Sequence, residues 1–143
     1  MPASEAAVSL SGSTRPRKVL IVDDNRIIIK AIEFKLKSKG FEVCSATDGS
    51  AAVSAVRREK PDLIVLDVNF PPDVGHGGGI AWDGFLILQW LRQIDEARQT
   101  PVIFMSTEEC QDRALAVGAV AFFQKPVNSE SFLSVVQRVL GTE

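Results

Sequence analysis

Residues 18–25 read KVLIVDDN: the branched apolar run Val19 to Val22 ends on two carboxylates, Asp23 and Asp24. A run so short and so uniformly apolar suits a strand buried on both faces, as in a parallel sheet covered by helices. Further along, LIVLD (63–67) repeats the arrangement, and VNFPPDVGHGGGIAWDG (68–84) follows it directly. No packed strand tolerates so many glycines and prolines, so Asp67 is placed at a strand end with a loop behind it. Whether these three acids meet is the question the remaining sequence answers.

Outward from these runs, short apolar segments alternate with segments of helical periodicity. Asn25 can cap a helix in which Ile28, Ile29, Ile32 and Leu36 recur at helical spacing, and Gly40 supplies its stop. FEVCSA (41–46) alternates as a strand does, and 48–59 reads as a helix closed by Lys60-Pro61. FLILQWLRQI (85–94) is a strongly apolar helix, PVIFM (101–105) a strand, EECQDRALAV (108–117) a helix stopped by Gly118, and VAFFQ (120–124) a fifth strand. The last helix starts near Asn128 and presents Phe132, Val135, Val136, Val139 and Leu140 on one face. Five βα units predict an α/β fold with one parallel sheet, right-handed crossovers and a ligand site beyond the carboxyl ends of the strands. Asp23, Asp24 and Asp67 all fall at that edge.

The chain has 143 residues, which suits one core, here 17–141, behind a tail at 1–16 whose Ser, Ala, Gly and Pro content reads as flexible. A net charge of −2 gives no reason to expect nucleic acid or an anionic membrane as partner. Cys44 and Cys110 lack the spacing of a zinc or redox pair and read as reduced apolar side chains. No window approaches the roughly 18 apolar residues of a membrane span, and the start lacks the pattern of a signal peptide, so a cytoplasmic protein is expected. GHGGG (75–79) has neither a phosphate-loop lysine nor a GxGxxG pattern. His76 reads as a solvated loop residue, and Trp82 and Trp90 as packing groups.

Asp23-Asp24, Asp67 with Pro71 four residues on, Ser106 after a strand, and Lys125-Pro126 after the last strand resemble a response-regulator receiver domain. The resemblance covers 17–141 and implies a flavodoxin-like sheet of strand order 2-1-3-4-5. It implies that Asp67 is the phosphoacceptor and that Mg2+ is held by Asp23, Asp24, Asp67 and the backbone carbonyl of Asn69. Lys125 and Ser106 then stabilise the phosphoryl group, and Phe122 joins Ser106 as a switch residue. The chemistry is coherent on its own terms. Clustered carboxylates repel unless a cation neutralises them, and an all-oxygen, water-accessible set suits Mg2+. A strand-end aspartate can attack a phosphoryl group, whose spread charge a lysine and a hydroxyl then stabilise.

Taken singly, each residue also has a plain structural reading. Acids before a helix are favoured by its dipole, Ser106 can cap a helix, and a lone lysine is usually solvated. Five at one sheet edge outweigh these readings.

Two departures from the family pattern stand out. The Asp-Gly pair that opens the third helix is Asp83-Gly84, so the loop 70–82 carries about nine extra residues. The interval from Ser106 to Lys125 is about three residues short, a loss that must fall mainly at the fourth helix. The expected partners are a sensor histidine kinase or phosphotransfer protein and a downstream protein, with no nucleic acid and no membrane. The chain is expected to be a signalling receiver rather than an enzyme, either standing alone or cut from a larger protein. Two other readings stay open. A small Mg2+-dependent phosphatase would want an acid two residues after Asp67, where Asn69 stands; a degenerate receiver used only for docking would not need the full acid set.

Overall fold

A computed structural model describes residues 15–69 and 83–141; residues 1–14, residues 70–82 with Pro71, His76 and Trp82, and residues 142–143 lie outside them. The strands are β1 Lys18–Val22, β2 Glu42–Ala46, β3 Leu63–Asp67, β4 Val102–Ser106 and β5 Ala121–Gln124. Between and after them run α1 Arg26–Ser38, α2 Gly49–Glu59, α3 Gly84–Leu91, α4 Gln111–Ala116 and α5 Ser129–Leu140. The sheet is parallel, in the order β2-β1-β3-β4-β5, the flavodoxin-like arrangement expected.

Alternation along the three central strands divides the core in two. Leu20, Val22, Ile64, Leu66, Val102 and Phe104 face α2, α3 and α4. Val19, Ile21, Leu63, Val65, Ile103 and Met105 face α1 and α5. Each of these side chains contributes about 1.5–3 kcal/mol by leaving water, which is why all-apolar runs settle in the middle of the sheet. The less apolar β2 and β5 are left at its edges. Asn25 caps α1 as expected, its Oδ1 accepting from Ile27 N at 2.9 Å and Ile28 N at 3.2 Å. None of the described helices is long and apolar enough to cross a membrane. Cys44 and Cys110 are both free thiols, and burial pushes Cys44 up to about 11, out of the reactive range.

Three expectations about the helices change. The predicted helix at 85–94 ends at Leu91, followed by a short 3-10 turn, Asp95–Ala97. The Arg92 guanidinium donates to Ala97 O and Thr100 O, both at 2.8 Å, folding this segment back so that Ile94 and Ala97 are buried. The helix at 108–117 is shorter at both ends, Gln111–Ala116. Trp90, expected to pack, is 53% exposed, because Ile87, Leu88 and Leu91 hold the inward faces of α3.

The start of α3 lies directly against the end of β3. Gly84 N donates to Val68 O at 2.9 Å. A Cβ on Gly84 would lie 2.5 Å from the carbonyl oxygen of Asp67 and 2.9 Å from Val68 Cα, both backbone atoms that cannot swing aside. Gly84→Ala is therefore expected to destabilise the chain by about 1–3 kcal/mol, the usual cost of forcing an extra methyl into a packed contact. Chemical denaturation measures this, and an unchanged midpoint would contradict so close an approach.

Candidate functional site

The register brings the sequence-predicted residues together. Val22 pairs with Leu66, so Asp23, the next residue after β1, comes level with Asp67, the last residue of β3. Asp67 pairs with Met105 on its other side, which puts Ser106 one step beyond it at the end of β4. Ser106 in turn pairs with Gln124, and Lys125 N donates to Ser106 O at 2.7 Å. Four strand ends thus deliver two acids, a hydroxyl and a lysine to one edge, as the parallel topology requires.

Lys125 crosses from the outer strand to the acids. Its Nζ lies 3.0 Å from Asp23 Oδ2 and 3.3 Å from Asp67 Oδ1, with the side chain only 12% exposed. It is no solvated surface lysine. Asp23 is fully buried; its other oxygen accepts the Asn25 backbone N–H at 2.8 Å. Asp67 is 2% exposed and accepts the Asn69 backbone N–H at 3.2 Å. Burial first, and then the neighbouring charge of Asp23, raise Asp67 to about 6; Lys125 and the Asn69 N–H pull the other way and do not overcome them. For Lys125, burial disfavours the charge, but the hydrogen bond to Asp23 and the charge of Asp67 outweigh it, and its proton affinity is raised.

Asp24 is exposed at the solvent edge of the same group. Carboxylate oxygens of Asp23, Asp24 and Asp67 lie within 4.8 Å of one another, a spacing one cation can bridge. Hard oxygen donors with one exposed member suit an ion that keeps part of its water shell, so the residues fit a divalent cation of the magnesium type.

Ser106 is completely buried and does not cap a helix. Its Oγ donates to Asn69 Oδ1 at 2.7 Å and accepts from Glu108 N at 3.0 Å. The sequence had pointed to the Asn69 carbonyl, not to its carboxamide; 37 residues separate the two partners, and only the β3–β4 register shows that they meet. Phe122 pairs with Phe104 across β4 and β5 and is half-buried against the core on the α3–α4 side. In that region the rings of Phe85 and Phe104 are 4.9 Å apart, and the Arg113 guanidinium stacks 3.8 Å from the Phe85 ring centre.

The chain matches the profile of the response regulator receiver domain over residues 19–137. It is 27% identical over 129 residues to the polar-differentiation response regulator DivK of Brucella anthropi, covering 88% of this chain and 98% of that protein. Among solved structures it resembles the chemotaxis response regulator CheY4 of Vibrio cholerae, with a TM-score of 0.74 and 31% identity over 87% of this chain and 99% of that one. It also resembles the signal receiver domain of a putative LuxO repressor protein of Vibrio parahaemolyticus, with a TM-score of 0.75 and 26% identity over 89% of this chain and 92% of that one. The chain therefore belongs to the response regulator receiver domains of two-component signalling.

Proposed function

We propose that Asp67 accepts a phosphoryl group from a phosphohistidine on a kinase or phosphotransfer protein, and that the change is read by a downstream protein. The observation that carries this is the ammonium of Lys125 held against both Asp23 and Asp67. An Asp67 oxygen attacks phosphorus, the bond between phosphorus and the donor's ring nitrogen breaks, and that nitrogen keeps the electron pair. The product is an acyl phosphate on Asp67. Lys125 would stay ionised and balance charge on the phosphoryl oxygens, and the Ser106 hydroxyl would donate to one of them.

A magnesium ion held by Asp23, Asp24, Asp67 and the carbonyl of Asn69 would screen the acids from one another and neutralise part of the incoming charge. Ser106 and Phe122 are the proposed switch, because the end of β4 and the packing around Phe104 and Phe122 meet there.

A protein partner is supported by the surface beside the site. Lys125 also lines a cavity of about 400 Å³ whose walls are mostly apolar, including Ile28, Ile32, Val127 and Phe132. Ile27 and Phe34 stand exposed on α1. The phosphatase reading loses support at Asn69, whose carboxamide is engaged with Ser106 and cannot serve as an acid.

Incubation with Mg2+ and a small acyl phosphate is expected to add one phosphoryl group, seen by intact-protein mass spectrometry, and Asp67→Asn is expected to add none. Lys125→Ala is expected to slow the reaction at least about tenfold, the usual scale for losing one charge-stabilising group. Unchanged labelling of Asp67→Asn would refute the assignment.

The raised pKa of Asp67 gives a second expectation, for metal-free protein in chelator. An unfolded aspartate titrates near 3.9, whereas folded Asp67 titrates at about 6. Between those values folded Asp67 holds a proton that the unfolded chain releases, so the contribution of Asp67 to stability falls as pH rises from about 4 through about 6. Asp67→Asn removes that cost and is expected to be more stable than the parent by on the order of 3 kcal/mol above pH 7, the gap closing below about pH 4. Millimolar Mg2+ is expected to raise the parent's melting temperature and to leave the variant's nearly unchanged. Denaturation across pH with and without Mg2+ measures both; a difference between variant and parent that does not grow from about pH 4 to about pH 6 would contradict the burial described.

A further inference from the structure

The one proton on the Ser106 hydroxyl is already committed. It goes to Asn69 Oδ1 at 2.7 Å, while Glu108 N fills an acceptor position on the same oxygen. Ser106 has no exposed surface, so that proton has no water to turn to. Asn69, by contrast, lies at the surface, and its backbone N–H is bound to the Asp67 carboxylate. One exposed residue thus touches the acceptor carboxylate through its backbone and the buried hydroxyl through its side chain.

We propose that the Asn69 carboxamide is a placeholder for the phosphoryl group: it occupies the Ser106 hydrogen bond in the resting protein and must release it before the switch can turn. This rests on the phosphoacceptor reading and adds to it a defined resting latch. The exchange balances. The hydroxyl passes from a neutral amide oxygen to a charged phosphoryl oxygen, and the carboxamide passes to water, which its surface position permits. A hydrogen bond to a charged acceptor is roughly twice as strong as a neutral one, so the phosphoryl group wins, but by less than it would over an empty place. Asn69 is therefore a positioning residue that acts through Ser106 and biases the domain toward its resting state. Its backbone carbonyl, the proposed metal ligand, is unaffected by a side-chain change.

The test is a double-mutant cycle read with beryllofluoride, a stable phosphoryl mimic, in Mg2+. Asn69→Leu keeps the bulk of the side chain, so water does not replace it, and removes the acceptor. It is expected to bind beryllofluoride roughly three- to tenfold more tightly than the parent, the worth of about one net hydrogen bond. Asn69→Ala should shift the same way. In a Ser106→Ala background the gain should vanish, and any effect of leucine on access cancels within the cycle.

A second readout needs neither metal nor mimic. The Glu108 amide reports on Ser106, so in metal-free Asn69→Leu its NMR signal should move toward the position it takes in the beryllofluoride-loaded parent. Equal or weaker binding by both Asn69 variants, or an equal gain without the serine hydroxyl, would overturn the latch while leaving the phosphoacceptor reading intact. A parent that binds no beryllofluoride would overturn both. An unmoved Glu108 signal in metal-free Asn69→Leu would count against the latch alone.

Discussion

Everything at the carboxyl edge of the sheet is organised around one ammonium among more carboxylates than it can neutralise. Lys125 reaches Asp23 at 3.0 Å and Asp67 at 3.3 Å, both almost without exposed surface, and Asp24 adds a third acid at the rim. Two like charges at such separations repel by about 4 kcal/mol in a surface-like dielectric, and burial strengthens the effect. A fold selected for stability alone would not put two acids there. The uniformly apolar strands beneath them, and the two core layers those strands support, sustain an arrangement with surplus negative charge at its rim, which suits a cation.

That cluster is tied mechanically to the rest of the domain. Ser106 ends β4, and Phe104 in the same strand packs its ring against Phe85 of α3, over which Arg113 of α4 is stacked. Gly84 seats the start of α3 on the backbone of Asp67 and Val68, so α3 is fixed to the end of β3 by an approach too close for a Cβ. Interiors packed this closely respond to a displacement by changing to another arrangement rather than by stretching. A small movement at Ser106 therefore has a short route of direct contacts to α3 and α4.

How much of this was legible in the chain depends on the range of the interaction responsible. The strands were readable because VLIV, LIVL and PVIFM are too short and too apolar for anything but buried strands, and the order of elements then gave the sheet. The meeting of Asp23, Asp67, Ser106 and Lys125 followed from placing each at a strand end. Three features escaped periodicity because polar groups settled them. The apolar spacing of 108–117 suggested a longer α4, yet Glu108 N is taken by Ser106 Oγ and Gln111 N by the Glu109 carboxylate, so the first turn's donors are used outside a helix. α3 stops early because Arg92 satisfies two carbonyls further on. The bond between Asn69 and Ser106 joins a residue just past the end of β3 to the last residue of β4, and no local pattern announces it.

The central claim is that residues distant along the chain converge on a single cation beside Asp67. Crystals grown with Mn2+ in place of Mg2+ would test it most directly, through the anomalous signal of the ion. The account predicts one strong peak ligated by Asp24 and Asp67, with Lys125 still against Asp23 and Asp67. A peak elsewhere, or none at this edge with Lys125 turned out to solvent, would contradict it.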